Sequence, residues 1–132
     1  MKKFELLQAI ESHGAHACEF FEIEGSLFLF VANFGDRQAK IYDSFSTIWQ
    51  LGLNSEFTEK QECSSTNNTC HDNYNKFLFH LVGRVSSFGA TDGEFFSLGK
   101  GRYFLAVSEE GDLGKGADSS FNSRVYALLP SK

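Results

Sequence analysis

The chain of 132 residues holds one proline, one methionine and one tryptophan. So little proline excludes collagen-like and proline-rich linker sequences. No apolar run approaches the roughly 18 residues of a membrane-spanning helix, and no such span is expected. Positive charge is also scarce. Twelve basic residues stand against 17 acidic ones, for a net charge of −5. They gather into no basic stripe, so nucleic acid is not an expected partner. The start Met1-Lys2-Lys3 is basic, but Phe4 to Glu11 carries charges at both ends and no cleavage pattern. Residues 1–12 therefore show no export signal. Against these absences stands one excess: 15 phenylalanines, with four tyrosines and 12 glycines. A chain this aromatic buries enough apolar surface to offset its ordering entropy, which excludes disorder. Phe beside Gly, with few long helix formers, points to an all-β domain.

The chain contains an internal duplication. At an offset of 75 residues, Phe4 falls on Phe79, Leu6 on Leu81, Gly14-Ala15 on Gly89-Ala90 and Glu19-Phe20-Phe21 on Glu94-Phe95-Phe96. One added residue near Lys100 raises the offset to 76. Gly25 then meets Gly101, Phe28-Leu29 meets Phe104-Leu105, and Val31 meets Val107. A second raises it to 77, with Ser46 on Ser123 and Leu51 on Leu128. The alignment holds 18 identities over 48 positions. Ten of the 15 phenylalanines sit in five matched pairs, so the aromatic excess belongs to the repeat.

Each unit reads as four strands. The first is Phe4 to Ile10, matching Phe79 to Val85. The second is about Ala17 to Ile23, matching Gly93 to Leu98. The third is Leu27 to Ala32, matching Tyr103 to Ser108, and the fourth is Ser46 to Leu51, matching Ser123 to Leu128. Gly25 and Gly101 suit the turns between second and third strands. The third strand is apolar without alternation, as expected of a strand covered on both faces. Stacked sheets or neighbouring propeller blades provide that cover. The spacing of Phe4, Leu7 and Ile10 also fits a helix, but the copy 79–85 holds Gly83 and two valines and favours a strand.

The run from Phe4 to Ala15 resembles the opening of the epilepsy-associated repeat, also called the EAR or EPTP repeat. Glu19 to Gly25, Phe28 to Asn33 and Ser46 to Trp49 continue the resemblance. The second copy diverges, with Tyr126 in place of Trp and Ser108 in place of Asn. The family includes the leucine-rich glioma-inactivated and thrombospondin-like EAR proteins. The resemblance implies antiparallel four-stranded blades of a β-propeller, about two here, hence a partial propeller. It implies a first repeat at 3–51 and a second at 77–129, and the chain departs from the family pattern by an inserted polar loop at 52–76. It further implies a non-catalytic extracellular protein–protein interaction module in cell-surface recognition or adhesion, with a cell-surface receptor as the kind of partner. Two blades cannot close a ring. The leading strand at Phe4 lacks a blade, and the trailing blade lacks its outer strand. The expectation is a fragment of a longer protein. The alternative is a self-assembling structural or ligand-binding ring of two-blade protomers, about three or four chains by usual blade numbers. Either way, open faces and edges predict self-association.

Chemistry-bearing residues are few. Cys63 and Cys70 bracket a Ser/Thr/Asn stretch of the inserted loop. A disulfide there would contribute roughly 2–3 kcal/mol; two free thiols are the other reading. Asn67-Asn68-Thr69 between them is a glycosylation sequon on Asn67. Together they favour an oxidising, secretory setting. Cys18 reads as a small buried residue. His13, His16 and Cys18 invite a metal or nucleophile reading, but the second copy holds Phe88, Thr91 and Gly93 there. Cys70-His71-Asp72 is explained by loop composition. Asp92 invites calcium, against the plainer reading of a solvated turn residue, and Ala17 replaces it in the first copy. Glu19 and Glu94 recur and suit backbone hydrogen bonds at a blade corner. Gly111 to Ser120 lacks phosphate-loop spacing and reads as a link between strands. No cofactor is expected, and no catalytic set can be assembled.

Overall fold

The computed structural model describes residues 3–36, 41–42, 45–53, 77–110 and 123–129. Among them there is no helix, and every long pairing is antiparallel. The strands are β1 (Ala15–Ile23), β2 (Ser26–Asn33), β3 (Gly35–Asp36), β4 (Ile41–Tyr42), β5 (Phe45–Leu53), β6 (Phe77–Ser86), β7 (Ala90–Ser97), β8 (Tyr103–Glu109) and β9 (Arg124–Ala127). One sheet has the order β1-β2-β5-β6, and another the order β7-β8-β9. The short pair β3-β4 stands apart and was not foreseen.

The β1-β2 hairpin turns at Glu24-Gly25, with φ of 50° and 81°. Two successive positive φ values twist a two-residue loop to match the strands, and glycine supplies the second without strain. In the resulting register Phe21 opposes Phe28, and Phe20 opposes Leu29. Strand β2 then pairs β5, with Phe30 opposite Ile48. The central strand is buried on both faces, from Leu29 at 5% exposure to Phe30 and Ala32 at 0%. That is the expected consequence of an apolar run without alternation.

The four-stranded blade is offset by one strand from the sequence repeat. Its outer strand is β6, which belongs to the second copy; Leu51 pairs with Phe79 and Ile48 with Gly83. Strand β7 then opens the second blade, which has three strands among the described residues. The leading segment corrects the sequence expectation. Phe79 to Val85 is strand, but its twin Phe4 to Ile10 joins no strand. The reason is partnership. Residues 79–85 have β5 to pair with, whereas no strand of the described residues pairs with 4–10. A strand forms when a ladder satisfies its backbone, not from side-chain pattern alone.

The two blades share one core. Phe21, Phe30 and Ala32 of the first pack with Ala90, Leu105 and Val107 of the second.

Candidate interaction surface

Both blades turn the same corner. In the first, the Asn33 amide N–H donates to Ser46 Oγ at 3.1 Å, and Asn33 Oδ1 accepts from the His13 N–H at 3.2 Å. In the second, the Glu109 N–H donates to Ser123 Oγ at 3.4 Å, and Glu109 Oε1 accepts from the Phe88 N–H at 3.2 Å. Gly14 and Gly89 carbonyls then accept from the Phe34 and Glu110 N–H groups at 3.1 and 3.0 Å. Every partner lies at the repeat offset, so the duplication is structural as well as sequential. Glu109, not Ser108, stands where the first copy has Asn33. The longer carboxylate is held by Arg124 at 2.8 Å. This side-chain carboxylate is fully buried. The corner role assigned to Glu19 and Glu94 also moves to Asn33 and Glu109, because Glu19 and Glu94 lie in mid-strand opposite Phe30 and Ala106.

Two different faces meet between the blades. The first blade contributes Phe21, Phe28, Phe30 and Ile48; the second contributes Gly93, Phe95, Leu105 and Tyr126. Phe21 stacks on Phe95, with ring centroids 4.3 Å apart and planes at 16°. Such a pair contributes about 0.5–1.5 kcal/mol beyond its buried area. Phe30 lies so close over Gly93 that a Cβ there would sit 2.3 Å from the ring. The junction is heterologous, front of one blade against back of the next.

Each blade therefore presents the other half of this junction outward. The back of the first blade shows Cys18 and Phe20, the twins of Gly93 and Phe95; Phe20 is 59% exposed. The front of the second shows Phe96 and Val125, the twins of Phe21 and Ile48. Both are exposed, as are Leu98 and Leu128. Exposure of Cys18 corrects the expectation that it is buried. It occupies a junction position on a face that no blade covers among the described residues. Phe96 stacks on Phe104 at 5.2 Å, as Phe21 stacks on Phe28 at 5.4 Å, so the open front has the shape of the occupied one.

A groove of about 370 Å³ runs beside the junction. Val82, Gly83 and Val85 of β6 form one wall, and Tyr126, Ala127 and Leu128 at β9 form the other. Its lining is almost wholly apolar. This is the place beside β9 that a fourth strand would take. The leading segment, meanwhile, rests on the first blade. The Gln8 carboxamide donates to the Phe79 carbonyl at 2.9 Å and accepts from the Phe79 N–H at 2.8 Å. It thus imitates a neighbouring peptide and satisfies one residue of the β6 edge. Phe4 and Leu6 on the same segment are almost fully exposed.

Residues 3–48 match the EPTP domain family. No curated protein and no solved structure matches the chain significantly. The EPTP domain is a non-catalytic repeat of β-propeller type associated with protein–protein interaction and generally found outside the cell. The resemblance carried by Phe4 to Trp49 is thereby shown, and the all-β blade fold with it. The EPTP match ends at residue 48; the second unit is tied to it by the corners and hairpins that both blades share.

The remaining sequence candidates fall as follows. Cys63, Cys70, Asn67 and the run 111–120 lie outside the described residues, as do Cys70-His71-Asp72. His16 stacks on Phe34 at 4.5 Å, and the His13 N–H serves the corner. Asp92 Oδ1 accepts from the Gly93 N–H at 2.8 Å. Among the described residues, no three His, Cys, Asp or Glu side chains come together as metal ligands. No helix of the described residues is long and apolar enough to cross a membrane.

Proposed function

We propose that this protein is a non-catalytic extracellular interaction module of the EAR β-propeller type, acting in cell-surface recognition or adhesion. The observation that carries the reading is the EPTP match over residues 3–48, on a chain that folds as paired antiparallel blades. Propeller blades offer rigid edges and aromatic faces for protein contact, with no preformed reaction site required. An extracellular setting draws support from the polar loop, where Cys63 and Cys70 flank the Asn67 sequon. In this reading those cysteines form a disulfide, Asn67 carries a glycan, and the partner is a cell-surface protein.

The test is to produce the protein through a secretory pathway and titrate it onto live cells. Saturable binding that protease treatment of the cells removes is expected, together with a glycosidase-sensitive mass at Asn67 and a Cys63–Cys70 peptide in non-reducing maps. Secretion with both thiols alkylatable, Asn67 bare and no saturable binding would overturn the reading.

A further inference from the structure

We propose that a second copy of this chain completes the open blade. Residues 4–10 of one copy add to β9 of another as its fourth strand, and the back of the first blade packs on the front of the partner's second blade. The template is the junction inside the chain. There, β6 pairs β5 and leads directly into β7, whose blade packs against the β6 blade. Residues 4–10 stand in the same relation to β1 as β6 does to β7.

Transferring the β5-β6 register by the repeat offsets gives specific pairs. Leu51 opposite Phe79 becomes Leu128 opposite Phe4; Trp49 opposite Leu81 becomes Tyr126 opposite Leu6; Ile48 opposite Gly83 becomes Val125 opposite Gln8. Phe4 and Leu6 then fall on the side of the sheet that faces the 370 Å³ groove. Two residues that are 102% and 87% exposed in the single chain find an apolar slot. The β9 edge gains a ladder, which removes an open template for irregular pairing.

The faces agree independently. Phe20 and Phe96 take the places of Phe95 and Phe21, restoring the stacked pair. Where the internal junction sets the Phe30 ring against bare Gly93, the new one sets Ala106 against Cys18. A large residue against none is replaced by two small ones, so neither junction sets two large side chains against each other at this point. The segment must first leave β6, breaking the two Gln8 hydrogen bonds. This contact holds the strand in reserve until a partner edge arrives. Because the interface is heterologous, copies add front to back and close when the rotation permits.

The inference rests on the blade geometry and not on the cell-surface role, so a failed cell-binding titration leaves it standing. Its test is the mass in solution by light scattering across a dilution series. The wild type is expected at a discrete multiple of 14.8 kDa. Ala106→Phe overfills the slot against Cys18 and should weaken assembly at least about tenfold. Ala106→Phe with Cys18→Gly recreates the Phe30–Gly93 pair and should restore it. Leu6→Asp, on an exposed segment outside every strand, should abolish assembly while the circular dichroism stays unchanged. A wild type that remains monomeric at all concentrations overturns the proposal. So does association that ignores Ala106→Phe and Leu6→Asp, or a double variant that is not rescued.

Discussion

Replacing Gly93 by alanine sets two opposed effects against each other at one atom. The added Cβ would lie 2.3 Å from Cε1 and 2.5 Å from Cδ1 of Phe30, where ordinary contact begins at 3.4 Å. Phe30 is wholly buried among Ala32, Leu105 and Val107, so its ring must retreat by about an ångström into packed neighbours. Overpacking of this kind costs about 1–3 kcal/mol. In the other direction, alanine restricts the unfolded chain and stabilises by about 0.4–1 kcal/mol where the backbone accepts it. Gly93 has no positive φ, so the backbone does accept it. The net expectation is a loss of about 1–2 kcal/mol. Gly83→Ala is the control: it also lies in a strand, nothing comes within 4 Å of its Cβ position, and it should be neutral or stabilising. Urea unfolding midpoints with unchanged slopes would report both. In the double variant with Phe30→Leu, the Gly93→Ala cost should shrink, because the two residues share one contact. A Gly93→Ala protein as stable as the wild type would refute the packing of the two blades.

The corners and the leading segment give further expectations. Ser46→Ala removes the acceptor of the Asn33 N–H and the 2.8 Å bond to Ser87 Oγ, all buried, and should cost about 1–3 kcal/mol in denaturant unfolding. Glu109→Ala strips Arg124 and the Phe88 N–H of a shared acceptor and should cost about 2–3 kcal/mol; Glu109→Asn, which installs the residue of the first corner, should cost less. Equal losses for the two would contradict the shared design of the corners. Gln8→Ala releases residues 3–12, so limited proteolysis there should accelerate while the rate within 15–33 holds. Unchanged cleavage would show that the Phe79 contact does not retain the segment.

The repeat made most of the fold legible. A lone Gly25 is weak evidence for a hairpin, but Gly25 and Gly101 at matching places in two copies located both β-hairpins. The unbroken apolar run at Leu27 to Ala32 announced a strand covered twice. The offset of blade from repeat was legible too, in a leading segment without a blade and a trailing blade without its outer strand. What the sequence could not show was that the leading segment forms no strand in the single chain. Phe4 to Ile10 carries the same pattern as Phe79 to Val85, and only the presence of β5 beside the latter turns pattern into strand. Cys18 misled for a related reason. Its burial depends on a neighbouring blade, and none covers it among the described residues. The corner at Glu109 escaped because a one-residue slip placed Ser108 against Asn33; asking which residue could reach the Phe88 N–H would have found the carboxylate.

The first blade takes its outer strand from the second repeat. Residues 4–10 are then surplus to that blade, and among the described residues β9 pairs with β8 alone. Long-range nuclear Overhauser contacts decide this directly. Phe79 turns its N–H and carbonyl toward Gln8, so Leu51 and Phe79 face each other at a non-hydrogen-bonded site, where opposing Cα atoms come closest. A strong contact between the Leu51 and Phe79 α-protons is the predicted result. Its absence, with Leu51 instead meeting Phe4, would contradict the account.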